Sequence, residues 1–159
     1  MENWYLLLVF VGVNILAALT GAFFPPGEWY RTLKKPPWIP PNWLFAPAWT
    51  VLYAMIAYAG FAFTVSAEAG ERLLPLMAYG LQLVFNAAWS FLFFGIKRMD
   101  WALVDALLMF AAIAVTIVLF APVSSLAAWL MVPYLCWVGF AAVLNYSMMR
   151  RNAATRSTA

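Results

Sequence analysis

Between residues 25 and 43 the sequence gathers side chains suited to holding a flat, hydrophobic, anionic molecule. It carries the cations Arg31, Lys34 and Lys35, the rings Trp29, Tyr30, Trp38 and Trp43, and six prolines that stiffen the backbone between them. Cationic groups form charge-assisted hydrogen bonds to carboxylates that are stronger than neutral ones. Indole and phenol rings offer faces for stacking. A connection that only reverses the chain needs a few polar residues, whereas this one has the make-up of a lid. The same three cations would also serve to enforce membrane topology, and the sequence leaves both roles open.

A second group follows helical spacing. At about 100° per residue, Tyr79, Gln82, Asn86, Trp89 and Phe93 fall within an arc of roughly 80°. Trp49 and Tyr53 lie one turn apart, and Tyr134, Trp137, Ala141 and Asn145 share a face. Polar groups inside an apolar helix are expensive and mark either function or contact between helices. Two readings stay open for the amide-bearing stripe: hydrogen-bonded glue between helices, or the wall of a ligand pocket. Trp49, Asn86, Trp89, Phe93 and Asn145 all lie in the half of the chain's spans nearest the basic loop, so a cavity there would be ring-lined and capped by cations.

Several chemistries are excluded. The chain has no histidine and one cysteine, Cys136, so no intrachain disulfide and no histidine- or cysteine-rich metal site can form. There is no paired carboxylate and no activated nucleophile to run acid–base or covalent catalysis. Nothing points to nucleic acid. Asp105, the only carboxylate within a span, lies one turn inside Trp101, within reach of the interface or of Lys97 and Arg98, and a structural role is preferred for it. Trp4, Trp43, Trp101 and Trp129 sit at span ends and read as an interfacial belt.

The elements that must position these groups are membrane helices. Hydrophobic residues make up 67% of the 159 residues and charged residues 9%, against roughly half and a quarter in soluble domains. Five segments reach the ~20 apolar residues a helical crossing needs: residues 4–24, 44–66, 73–95, 102–121 and 126–149. They lack the alternation of a barrel, and lipid requires the backbone to satisfy its own hydrogen bonds. The expected fold is an all-α integral membrane protein, a single bundle of five transmembrane helices over residues 1–151. A capping loop spans 25–43, and a disordered polar tail spans 152–159. Pro133 is expected to kink the last helix. Eight of the nine basic residues, all but Arg72, fall in the first loop, the third loop and the tail. The positive-inside rule then places the N-terminus outside and the C-terminus in the cytoplasm. This asymmetry fits a bacterial inner membrane, with the mitochondrial outer membrane as the alternative.

The motifs resemble the translocator protein family, also called tryptophan-rich sensory proteins or peripheral-type benzodiazepine receptors. They are Trp29-Tyr30 with Lys35-Pro-Pro-Trp-Ile-Pro-Pro41, Ala48-Trp49-Thr-Val-Leu-Tyr53, and Gln82-Leu-Val-Phe-Asn86-Ala-Ala-Trp89 with Phe93-Phe94-Gly95. Trp101-Ala-Leu-Val-Asp105, Val132-Pro-Tyr134 and Leu144-Asn145-Tyr146 complete the match. The resemblance implies a homodimeric five-helix bundle, here a bacterial member, that binds porphyrins such as protoporphyrin IX and haem and requires no cofactor. It also implies binding of isoquinoline and benzodiazepine drugs and, in animal members, cholesterol. By matching motif the ligand-binding residues are Tyr30, Trp38, Trp49, Tyr53, Asn86 and Trp89, joined by Phe93, Trp137 and Phe140. Leu144, Tyr146 and Arg150 fit the loose sterol-recognition pattern.

Three functions follow as expectations. The leading one is a porphyrin receptor or sensor linked to tetrapyrrole transport or regulation, with Arg31, Lys34 or Lys35 on the propionates. The second is an enzyme that degrades protoporphyrin IX with light and oxygen, using Trp49 and Trp89 as redox partners in place of acid–base groups. The third is a protein that handles membrane lipid or sterol.

Overall fold

The computed structural model describes residues 3–153. Five long helices carry the fold: α1 (Trp4–Phe23), α3 (Asn42–Ser66), α4 (Leu73–Ser90), α5 (Met99–Phe120) and α6 (Ser125–Arg151), with the short helix α2 (Glu28–Thr32) in the first connection. A π-helical turn over Phe91–Gly95 continues α4, so the third crossing runs Leu73–Gly95. All five crossings are long and apolar enough to span a membrane. Their ends lie within three residues of the hydropathy boundaries, because apolar run length sets roughly where a helix can leave lipid. Arg156 and most of the expected polar tail lie outside the described residues.

The caps explain where helices stop. Arg72 donates from Nε and Nη2 to the Ala67 carbonyl at 3.2 and 2.9 Å, closing the C-terminus of α3 with a cation, as the helix dipole favours. Glu68 and Glu71 form a reciprocal capping box over the 3-10 turn Ala69–Glu71. Ser124 Oγ accepts from the Ala127 N–H to open α6. Lys97, at φ 58°, makes the left-handed turn that ends the third crossing.

The principal contacts join α1 to α3, α3 to α6, α6 to α5, α5 to α4 and α4 back to α1. The five spans therefore close into a ring, and the two ends of that ring differ. Toward the end holding the α3–α4 and α5–α6 connections the interior is filled with rings. Phe63 stacks on Phe120 at 4.2 Å between centroids, and Phe10 meets Tyr79 edge-on at 5.5 Å. Toward the other end the ring is hollow, and α2 with its flanking chain packs over the opening. Tyr30, Phe93, Met99, Ala102, Leu144 and Met148 form a separate small core there.

Candidate functional site

The hollow end is a cavity of about 550 Å³, within the roughly 300–1,000 Å³ range of small-molecule sites. Tyr30 from α2, Phe45, Trp49 and Tyr53 from α3, and Asn86, Trp89, Phe93 and Phe94 from the third crossing line it. Ala106 and Met109 of α5 and Trp137, Leu144, Asn145 and Met148 of α6 complete the wall, with Ala18 and Gly21 of α1 opposite.

One chain of hydrogen bonds pins four spans beside this space. Tyr53 Oη donates to Asn86 Oδ1 at 2.6 Å, and Asn86 Nδ2 donates to Tyr134 Oη at 2.9 Å. Tyr134 Oη donates in turn to Met109 Sδ at 3.3 Å. The stripe residue Asn86 is thus both glue and wall: it lines the cavity while its amide ties α4 to α3 and α6. Tyr79 accepts from Asn14 Nδ2 at 2.7 Å and donates to the Ile56 carbonyl, joining α1, α3 and α4 in the filled half. Asn145, with its nitrogen toward the Met99 carbonyl (3.2 Å) and its oxygen toward the Leu103 N–H (3.0 Å), fastens α6 to the first turn of α5.

The rings follow the same plan. Trp89 and Phe93 stack at 4.8 Å and 17°. Phe94 meets both Trp89 and Tyr30 edge-on. Consecutive residues of an α-helix point about 100° apart, and the π turn lets Phe93 and Phe94 both reach the cavity. Trp49 sits 5.4 Å from Tyr53, 6.2 Å from Tyr134 and 6.5 Å from Trp137. The Trp89 indole N–H is buried with no acceptor among the described residues. An orphan donor in an apolar wall is a costly feature.

Of the residues singled out from sequence, Tyr30, Trp49, Tyr53, Asn86, Trp89, Phe93, Trp137 and Leu144 come together on the cavity wall. Trp38 and Phe140 stand one layer out. Their rings meet at 5.9 Å, and Phe140 lines an outer groove between α3 and α6 with Pro47, Pro133 and Cys136. The three lid cations do not touch the cavity. Arg31 pairs with Glu28 at 2.8 Å in solvent, and Lys35 Nζ lies 4.1 Å over the Tyr30 ring. Burial pushes the Tyr30 phenol up from its ordinary pKa, so this contact is a cation–π interaction with a neutral ring. Tyr146 and Arg150 are exposed and one turn apart, directed away from Leu144. Arg98 chelates Asp100 at 3.0 and 2.7 Å, while Asp105 is buried with Oδ2 unpartnered among the described residues.

Sequence reasoning did not single out Phe45, Met109 or Met148. Phe45 is one turn before Trp49 and Met109 one turn after Asp105, a spacing that marks a shared face. Their membership depends on which faces turn inward, which the closed ring decides.

The TspO/MBR family pattern matches residues 6–151. The chain belongs to the TspO/MBR family. It is 42% identical over 155 residues to the translocator protein of Bos taurus, covering 92% of each chain. The human translocator protein is 40% identical over 160 residues, covering 96% of this chain and 94% of its own. The tryptophan-rich sensory protein of Cereibacter sphaeroides is 39% identical over 150 residues, covering 94% and 93%. Bacterial and animal members lie at similar distance, so identity alone does not assign a membrane. Family and five apolar crossings together make this a multi-pass membrane protein.

Proposed function

We propose that this chain is a membrane receptor for tetrapyrroles, protoporphyrin IX and haem among them, and for flat aromatic drug-like molecules. The cavity under α2 is their site. The observation that carries this reading is the cavity itself: a ring-walled space with a few amides and phenols, beneath a lid that bears cations on its outer side. Trp49, Trp89 and Trp137 supply faces for a planar ring system. Arg31, Lys34 and Lys35 belong to the lid and would be the partners of propionates that emerge there, and Lys35 is tied through Tyr30 to the cavity wall. The relatives' names, translocator and sensory protein, fit a protein that binds a small molecule and moves or reports it. The exposed apolar flank of α1, the least buried crossing, suits pairing into a homodimer.

The deciding experiment is a titration of purified protein in nanodiscs with metal-free protoporphyrin IX, read by tryptophan quenching beside a Trp49→Phe, Trp137→Phe double variant. Saturable one-site binding that the double variant weakens is expected. Linear quenching, equal in both proteins and in empty nanodiscs, would reduce the interaction to partitioning and favour the lipid-handling reading.

A second reading, light- and oxygen-dependent degradation of protoporphyrin IX, is favoured by the clustering of Trp49 with Tyr53, Tyr134 and Trp137, oxidisable rings 5.4 to 6.5 Å from the indole. Its mark would be a bilin-like product under illumination that disappears in Trp49→Phe. Bleaching at the same rate without protein would remove it.

A further inference from the structure

The lid is held to the bundle in two ways. The first is apolar: Tyr30 packs edge-on against Phe93 and Phe94, and Trp38 against Phe140. The second is a polar tie to the far end of the chain. Asn152 follows the last turn of α6, and its own backbone N–H closes on the Met148 and Met149 carbonyls at 3.1 and 3.3 Å. Its side-chain Nδ2 also donates to Met148 O at 2.7 Å. Thus anchored, the amide meets the lid across 118 residues of sequence: Oδ1 accepts from the Lys34 N–H at 2.9 Å, and Nδ2 donates to the Lys34 carbonyl at 3.1 Å. Sequence alone placed Asn152 in a disordered tail. It is instead 6% exposed.

The residue type is specific to this task. Lys34 stands in irregular chain between α2 and the Pro36-Pro37 pair, where no strand among the described residues satisfies its backbone. The carboxamide presents one acceptor and one donor side by side, as a pairing strand would. Aspartate can accept but not donate, and alanine does neither. The Lys34 side chain stays exposed, so the tie engages the lid without using up its charge.

We propose that Asn152 is the positioning residue that latches the lid shut over the cavity, and that the latch sets how long a ligand stays. The retention half of this rests on the ligand-binding reading above; the latch half does not. A closed lid must detach from α6 before a bound molecule can leave by that end, so loss of the tie acts on dissociation, while the cavity wall is untouched.

The test compares wild type, Asn152→Ala and Asn152→Asp in nanodiscs. Two readouts are taken: hydrogen exchange resolved by segment, and the dissociation rate of protoporphyrin IX chased with excess unlabelled competitor. In Asn152→Ala, exchange over residues 28–39 should rise while α3 to α6 keep their protection, and dissociation should quicken about tenfold, the factor that roughly 1.4 kcal/mol represents. Association should change little. Asn152→Asp, which keeps only the acceptor, should fall between the two. Lid exchange in Asn152→Ala equal to wild type would overturn the latch, as would exchange raised evenly through all spans. Faster lid exchange with an unchanged dissociation rate would overturn the retention role. If wild type itself shows no saturable porphyrin binding, the receptor reading fails while the exchange data still decide the latch.

Discussion

At the residue scale, Asn86 shows how one side chain can hold a membrane fold together and shape its cavity. Its carbonyl accepts from Tyr53 and its amide donates to Tyr134, so removing it strands two phenols in an apolar surrounding. Asn86→Ala should lower stability by about 1–2 kcal/mol, toward the upper end of interhelical polar contacts in membranes, seen as a reduced thermal midpoint in detergent. The polarity of this stripe was legible from spacing alone. Its partners were not, because Tyr134 lies 48 residues away and only the ring closure of spans brings it near. Trp89 poses the opposite case, a buried donor with no acceptor among the described residues. Trp89→Phe keeps the stack on Phe93 and deletes that donor, so the lost ring area and the relieved N–H should offset each other to within about 1 kcal/mol of stability. If a ligand supplies the acceptor, porphyrin affinity should fall about tenfold in the same variant, roughly one hydrogen bond's worth. A wild-type affinity in Trp89→Phe would restrict Trp89 to packing.

At the scale of elements, the five crossings were readable because lipid leaves a chain few choices: a long apolar run must be helical. The helix α2 was not readable. The five residues of α2, set between Pro26 and the prolines at 36 and 37, give too short a window for periodicity, and α2 forms because Tyr30 docks on Phe93 and Phe94. The π turn was hidden for a similar reason, since it reflects how the end of the third crossing packs rather than any residue's propensity. Close approach between α1, α3 and α4 does have a sequence signature in Gly60. A Cβ built there would lie 2.5 Å from Phe10 Cδ1 and 3.0 Å from Tyr79 Cζ. Both rings are buried, and Tyr79 is held by hydrogen bonds to Asn14 and Ile56, so neither can yield cheaply. Gly60→Ala should destabilise by about 1–3 kcal/mol, the usual range for overpacking. Because Gly60 lies in the filled half, ligand affinity in the surviving folded protein should be unchanged. Gly12→Ala, where nothing stands within 4 Å, is the matched control and should leave the midpoint within about 0.5 kcal/mol of wild type.

At the scale of the whole molecule, the two ends of the ring differ in charge as well as in packing. The hydrogen bonds between Lys34 and Asn152 put the lid and the end of α6 at one end of the bundle. The turn holding Lys97 and Arg98 lies there too, since Met99 and Ala102 share the lid's small core. The opposite end carries Glu68, Glu71 and Arg72, and Arg72 is occupied in capping α3. Such an asymmetry is what orients a membrane protein during insertion, so the open end with its lid should face the cytoplasm. The sequence permits a clean test because Cys136 is its only cysteine. With Cys136→Ser as background, one variant carries Glu68→Cys and another Arg31→Cys, both at exposed positions. A membrane-impermeant maleimide added to right-side-out vesicles should label the first and spare the second until the vesicles are opened. The reverse pattern would turn the bundle over and place the cavity mouth on the opposite side of the membrane, from which any ligand would then have to arrive.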